Sequence, residues 1–345
     1  MKTPFTPSLM TTGVGSLPLT DPDEAAAFVL EAGLSIPFWP QLPKRRFAER
    51  MVPQFSGPMP CVRVDPAEGK VYWAPERKYE ELEEFYGKFL AEDGSPFGLS
   101  EERAAGFSAL RRACAGRKWR YVKGQVTGPI TFTTSIQSEE GATLFSDPEL
   151  RDAAVKALAR NARWQVEQLR EFAEEAVIIF VDEPVLAVYG SSALAAISEA
   201  HVREMLGEVF EAIEDAGGIS GMHVCGNSDW PVMASTGVQV LNFDAYQFGH
   251  TLGLYPDAIS DFLERGGCIA WGIVPTTTDI AVADLESLTL GIEKGLAALT
   301  DKGLDGALLR RRSLLTPSCG AGSLEEAETE KVFDLLRRLR ERVGR

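Results

Sequence analysis

Three side chains that bind soft metal ions follow strand-like segments in the second half of the chain. His223 and Cys225 are two residues apart, so on a strand their side chains leave the same face. An imidazole nitrogen and a thiolate sulfur on one face supply half of a tetrahedral zinc site, although this short pattern alone is weak. Cys319 offers a second sulfur and Asp244 an oxygen. The sequence therefore predicts zinc bound by His223, Cys225, Asp244 and Cys319.

This ligand set favours one kind of chemistry. With two cysteinates, a neutral histidine and a carboxylate, zinc is electron-rich and activates water poorly. It suits a substrate thiol, whose pKa it lowers from about 8.5 so that the sulfur is a thiolate at neutral pH. A closed structural zinc site is the alternative, but its ligands usually come as Cys-x2-Cys pairs, which this sequence lacks. The pattern predicts attack by a substrate sulfur on an electrophilic carbon.

The elements that must position these residues alternate along the chain. Eight strands are predicted near residues 10–14, 35–39, 119–126, 176–182, 219–224, 238–244, 267–274 and 312–316. Helices are predicted to start at Asp21-Pro22, at Asp147-Pro148 and at a capping box of Ser323 and Glu326. Eight strand–helix repeats predict an α/β fold, a single (β/α)8 TIM barrel over residues 1–345. A strand-poor insertion from about 40 to 118 would follow strand 2.

A doubly wound open sheet is the alternative architecture, but no G-x-G-x-x-G follows a predicted strand. In a closed barrel the C-terminal ends of the strands face one shared cavity. The suspected residues all fall at such ends: Gly15, Ser16, Asp182, His223, Cys225, Asp244 and Cys319.

Charge and cysteine usage exclude several classes of function. The chain has 35 Lys plus Arg against 50 Asp plus Glu, a formal charge of −15. This excess repels nucleic acids and anionic membranes, so neither is an expected partner. The first ten residues lack the apolar core of a secretion signal, and the five cysteines are widely spaced. We expect a cytoplasmic protein without disulfide bonds.

Six segments together resemble a known family. TTGVGSLP (11–18), KGQVTGPITF (123–132), VDEPVL (181–186), HVCGN (223–227), VLNFD (240–244) and TPSCG (316–320) are similar, in order, to motifs of the C-terminal catalytic barrel of cobalamin-independent methionine synthase. That barrel belongs to the uroporphyrinogen-decarboxylase-like superfamily, and the resemblance runs from about residue 10 to 325. Uroporphyrinogen decarboxylase itself is less similar, because its arginine-rich N-terminal motif is absent. The resemblance implies a zinc methyltransferase that converts homocysteine to methionine.

The resemblance also implies roles for individual residues. Zinc would be held by His223, Cys225 and Cys319, with Asp244 where the family has a glutamate of longer reach.

The same resemblance assigns the homocysteine contacts. Val14, Gly15 and Ser16 would bind the carboxylate of homocysteine. Its ammonium group would meet Asp182 and Glu84, the latter in EEFYG (83–87).

On the methyl-donor side the sequence departs from the family. Ser135 stands where the family stacks folate on a tryptophan, Val188 stands where it has a glutamate, and WGIVPTTTD (271–279) lacks its proton-donating histidine. A methyl group leaving N5 of folate requires protonation of that nitrogen, whereas one leaving a corrinoid departs from cobalt(I) and requires none. We therefore expect a methylcorrinoid donor, either methylcobalamin or a corrinoid protein.

Three other functions stay open. The donor could be methyltetrahydrofolate with replaced contacts. The acceptor could be another thiol such as coenzyme M, but this thiol has no ammonium group for Asp182 and Glu84. The chain could also be a non-catalytic barrel, which would hold no metal tightly.

Overall fold

The chain alternates strands and helices almost throughout, as its hydrophobic pattern predicts. The computed structural model describes residues 5–91 and 95–344. The strands are β1 (Met10–Thr11), β2 (Val62–Asp65), β3 (Lys70–Trp73), β4 (Trp119–Thr127), β5 (Ala173–Asp182), β6 (Ile219–Val224), β7 (Val240–Phe243), β8 (Cys268–Val274) and β9 (Ser313–Pro317).

The helices surround the sheet and connect its strands. They are α1 (Pro22–Glu31), α2 (Met51–Phe55), α3 (Lys78–Leu90), α4 (Ala105–Ala113), α5 (Pro129–Ser135), α6 (Pro148–Leu169), α7 (Glu199–Asp215), α8 (Trp230–Ala234), α9 (Ala245–Phe248), α10 (Pro256–Glu264), α11 (Leu285–Thr300), α12 (Gly306–Arg311) and α13 (Glu326–Val343). Within residues 5–91 and 95–344, none of them is long and apolar enough to cross a membrane.

Seven parallel strands form the main sheet, in the order β1-β9-β8-β7-β6-β5-β4. Its two edges are joined by the chain around residues 36–39. Ile36 N–H donates to Thr11 O (3.0 Å) beside β1, and Trp39 N–H donates to Lys123 O (3.2 Å) in β4. The architecture is the predicted TIM barrel.

The prediction of a strand at residues 35–39 is wrong. Only a single bridge, between Phe38 and Lys123, is formed there. Pro37 and Pro40 flank this bridge and have no N–H to donate, so the ladder cannot extend.

Alternation along the strands separates the barrel interior from the layer under the helices. Ile178 and Phe180 of β5 belong to the interior cluster, whereas Val177 and Ile179 pack in the cluster that includes the helices. Asp182 has the parity of Ile178 and Phe180, so its side chain faces the interior at the end of β5.

The insertion and one helix start differ from the sequence prediction. The region 40–118 is not strand-poor throughout, because β2 and β3 pair there as an antiparallel hairpin. Asp21 and Asp147 cap α1 and α6 as predicted. The predicted start at Ser323 is wrong by two residues: Glu325 is the N-cap of α13, and its capping box is formed with Glu328.

Candidate metal and thiol site

His223, Cys225 and Cys319 meet at the C-terminal end of the barrel. Their ligand atoms all lie within 4.8 Å of one another. His223 is the fifth residue of β6, Cys225 follows that strand directly, and Cys319 follows β9. The strands bring two distant segments of the sequence to one point, and the grouping matches a three-ligand zinc site.

The His223 ring is held with one nitrogen free. Its Nδ1 lies 2.6 Å from Asn242 Oδ1, and the Asn242 amide nitrogen donates to Ala270 O (2.9 Å) and Thr316 Oγ1 (2.8 Å). Because both amide protons are used, Oδ1 must accept a hydrogen bond from Nδ1–H, and in the neutral ring Nε2 then carries no proton. Nε2 is buried and has no hydrogen-bond partner in the part of the chain that the structure describes. An orphaned, buried imidazole nitrogen beside two thiols fits a zinc ligand.

The two thiols of this group influence each other strongly. Contact with Cys319, and then with His223, lowers the pKa of Cys225 to about 4. The same contact with Cys225, together with burial, raises the pKa of Cys319. Cys225 is therefore the thiol of this pair that loses its proton more readily.

Asp244 is not brought into this group. It is buried beyond the end of β7, where it is the N-cap of α9. Its two carboxylate oxygens accept hydrogen bonds from Gln247, one from the backbone N–H (3.1 Å) and one from the side chain (3.0 Å). With both oxygens occupied locally, Asp244 does not join the three residues whose ligand atoms converge.

The loop after β1, called here the β1 loop, consists of Val14, Gly15 and Ser16. It contacts the segment after β9 that contains Cys319. Ser16 O accepts from Ala321 N–H (2.9 Å), and Ser16 Oγ accepts from Gly322 N–H (3.2 Å). The predicted carboxylate-binding loop and the segment that carries Cys319 therefore form one hydrogen-bonded unit.

Asp182 and Glu183 have different environments although they are adjacent. The Oδ1 atom of Asp182 is buried without a hydrogen-bond partner among the described residues, and burial raises the pKa of this carboxyl to about 6. The charge of Lys123 opposes that rise. Asp182 is thus a carboxylate with a free acceptor atom beside the metal ligands, as a contact for a substrate ammonium requires.

The carboxyl group of Glu183 stabilises the fold instead. It is fully buried, and it accepts from Ile130 N–H (2.8 Å), Thr131 N–H (2.7 Å) and Thr131 Oγ1 (2.7 Å) at the start of α5. Burial raises the pKa of Glu183 to about 7. The VDEP and TGPIT segments are therefore linked through this carboxyl group.

Glu84 does not lie with these residues. It is exposed on α3 and lines a cavity of about 440 Å³ whose walls all come from residues 57–97 of the insertion. The structure does not bring it together with Asp182.

Lys123 is the residue that the sequence analysis missed. It is fully buried inside the barrel on β4, and its Nζ donates to Val14 O (2.5 Å) and Gln125 Oε1 (3.3 Å). Nζ also lies 4.5 Å from the centre of the Phe180 ring. Burial lowers the pKa of Lys123 to about 7, and the charge of Asp182 opposes this shift. The sequence did contain a signal for this burial. Lys123 lies in the predicted strand YVKGQV, two residues after the inward-facing Tyr121, so its side chain leaves the same face of the strand.

The three departures on the donor side lie after barrel strands. Ser135 is exposed at the end of α5, and Val188 is 47% exposed in the turn after β5. The segment after β8, 275–281, ends in a short 3-10 helix.

Comparisons with known proteins find similarity only at the level of the fold. No protein-family model matches the sequence, and no curated protein matches it. Among solved structures, a B12-independent methionine synthase from Shewanella sp. W3-18-1, in complex with selenomethionine, is 15% identical, with 97% of each chain covered and a TM-score of 0.58. A putative vitamin-B12 independent methionine synthase from Listeria monocytogenes is 13% identical, with 94% of this chain and 85% of that chain covered and a TM-score of 0.52. At these identities the likeness establishes a shared barrel, and the reaction must be argued from the site.

Proposed function

We propose that this protein is a zinc-dependent thiol methyltransferase that converts homocysteine to methionine with a methylcorrinoid as donor. The observation that carries the proposal is the convergence of the ligand atoms of His223, Cys225 and Cys319 within 4.8 Å. Nε2 of His223 is buried there without a hydrogen-bond partner among the described residues. Two sulfurs and one imidazole nitrogen are ligands that zinc prefers. Three ligands from the chain leave one coordination position for a substrate sulfur.

The residues of the chain then have distinct roles. When bound, zinc supplies a cation that favours deprotonation of a substrate thiol. Asn242 holds His223 in the tautomer that exposes Nε2. The β1 loop offers N–H groups to the substrate carboxylate, and Asp182 offers Oδ1 to its ammonium.

The methyl transfer that we propose needs no acid from the chain. The methyl group moves from cobalt to sulfur, cobalt leaves as cobalt(I) with the bonding electron pair, and the thiol proton passes to solvent. Ser135 and Val188 have no acidic group, and residues 271–279 contain no histidine that could protonate a folate nitrogen.

The first experiment measures tightly bound metal per chain in wild type, Cys319→Ala and Cys268→Ala. Cys268 is a matched control because it is a buried cysteine outside the ligand group. We expect about one zinc per chain in wild type and Cys268→Ala, and much less in Cys319→Ala. Wild type that holds no zinc after reconstitution under reducing conditions would contradict the proposal.

A second experiment compares methyl donors at saturating homocysteine. Methionine should form with methylcobalamin or a methylated corrinoid protein. Equal activity with methyltetrahydrofolate alone would overturn the donor assignment, while leaving the thiol site intact.

A further inference from the structure

The β1 loop is held by hydrogen bonds to three different parts of the barrel. Val14 O accepts from Lys123 Nζ (2.5 Å) on β4, and Gly15 O accepts from Gln41 N–H (3.0 Å). Ser16 O accepts from Ala321 N–H (2.9 Å) after β9. All three carbonyls of the loop therefore have acceptor roles inside the protein.

The N–H groups of Gly15 and Ser16 have no such role. Within residues 5–91 and 95–344, neither N–H has a hydrogen-bond acceptor. In a trans peptide the carbonyl and the following N–H point in opposite directions. Because Val14 O points to Lys123 inside the barrel, Gly15 N–H points away from Lys123. Ser16 N–H likewise points away from Gln41.

Lys123 is held in place by the same layer of the barrel. Its neighbour Gln125 accepts from Nζ and donates to Trp39 O (3.0 Å). A Cβ atom at Gly15 would lie 2.7 Å from Gln125 Cδ, so the loop rests directly on this side chain and requires glycine there. Since Lys123 is fully buried, it does not touch a ligand itself, and its hydrogen bond to Val14 O acts on the loop.

We propose that Lys123 is a positioning residue for an anion-binding loop. By holding Val14 O inside the barrel, it sets the N–H groups of Gly15 and Ser16 to receive the α-carboxylate of an amino-acid thiol. This inference rests on the proposed function, and it restricts the acceptor to thiols that carry a carboxylate.

The test compares two thiols that differ by one group. Calorimetry measures the binding of homocysteine and of 3-aminopropane-1-thiol, which is homocysteine without its carboxylate, to the zinc-loaded protein. In Lys123→Met the dissociation constant for homocysteine should rise about tenfold. That for the decarboxylated thiol should change less than twofold. Steady-state assays should show the same increase in KM for homocysteine with little change in kcat.

Val122→Ala is the matched control, because Val122 is buried next to Lys123 on β4 but does not contact the loop by hydrogen bonds. It should change neither dissociation constant. Should Lys123→Met not fold, Lys123→Gln tests the same contact, since its shorter side chain does not reach Val14 O.

Each alternative outcome has a separate meaning. Equal weakening for both thiols in Lys123→Met, or no weakening, would overturn the positioning role. Wild type that binds neither thiol would instead overturn the proposed function.

Discussion

Side chains at the C-terminal end of the barrel are either available to a ligand or used to stabilise the fold. The neighbours Asp182 and Glu183 are one example of each. Asp182 Oδ1 is buried without a hydrogen-bond partner in the described part of the chain, whereas both oxygens of Glu183 accept hydrogen bonds at the start of α5. The sequence VDEP does not distinguish the two, because only the strand parity decides which carboxylate faces the interior. The grouping of His223, Cys225 and Cys319 was easier to predict, since these residue types rarely have other reasons to meet.

Glu183→Gln should destabilise the protein by about 2 to 3 kcal/mol, because the amide places an NH2 group where a backbone or hydroxyl donor already points. Glu175→Gln on the same strand is the control: Glu175 is about half exposed and accepts from Arg120 (2.6 Å) and from the Tyr121 hydroxyl. Because Gln keeps an acceptor oxygen at this exposed position, the replacement should cost under about 1 kcal/mol. Urea unfolding measures both. Equal losses would mean that the buried contacts of Glu183 contribute no more than a surface pair.

Zinc should protect Cys225 and Cys319 from alkylation. Both are partly exposed, whereas Cys61, Cys114 and Cys268 are buried, and burial raises the pKa of these three thiols to about 11, 11 and 12. In metal-free protein, iodoacetamide at pH 7 should label Cys225 first. Peptide mass spectrometry with and without zinc measures this, and the buried cysteines serve as internal controls. Labelling of Cys225 at the same rate in both samples would exclude it as a ligand.

At the scale of elements, seven of the eight strands that the hydrophobic pattern predicts form in the main sheet. It failed at 35–39, where the β-branched and aromatic residues favour a strand but two prolines prevent a ladder. It also failed in the insertion, where the hairpin of β2 and β3 is too short and too polar to stand out. Helix starts at Asp-Pro were predictable, because the capping carboxylate and the proline act within one turn.

The two Asp-Pro caps allow a matched comparison. Asp21 caps α1 and is exposed, whereas Asp147 caps α6 and also binds Lys78 Nζ of α3 (2.6 Å). Asp21→Ala should cost about 1 kcal/mol, the worth of a cap. Asp147→Ala should lower the free energy of unfolding by about 2 kcal/mol, because it also removes the ion pair with Lys78 that connects the insertion to α6.

The excess cost at Asp147 should depend on pH. Although burial opposes it, the hydrogen bond from Lys78 lowers the pKa of Asp147 below its ordinary 3.8. The carboxylate therefore contributes its full stability above about pH 4 and loses it as the pH falls through the lowered value. Urea unfolding of the two variants at several pH values measures this. A constant gap down to the lowest pH at which the protein is folded would contradict it.

For the molecule as a whole, the ligand group links parts of the barrel that are distant in sequence. His223 and Cys225 lie at the end of β6, and Cys319 lies after β9. In the sheet these two strands are separated by β7 and β8. A metal ion bound only by the folded chain stabilises the fold by mass action, about 2.7 kcal/mol when its free concentration is a hundred times Kd.

Zinc should therefore raise the Tm of metal-free wild type by a few degrees. Cys268→Ala should show the same rise from a lower starting Tm, because it loses core packing but no ligand. In Cys319→Ala the rise should be small or absent, because the coordination can no longer join β6 to β9. A full rise in Cys319→Ala, measured by thermal unfolding at matched zinc concentration, would place the metal elsewhere on the chain.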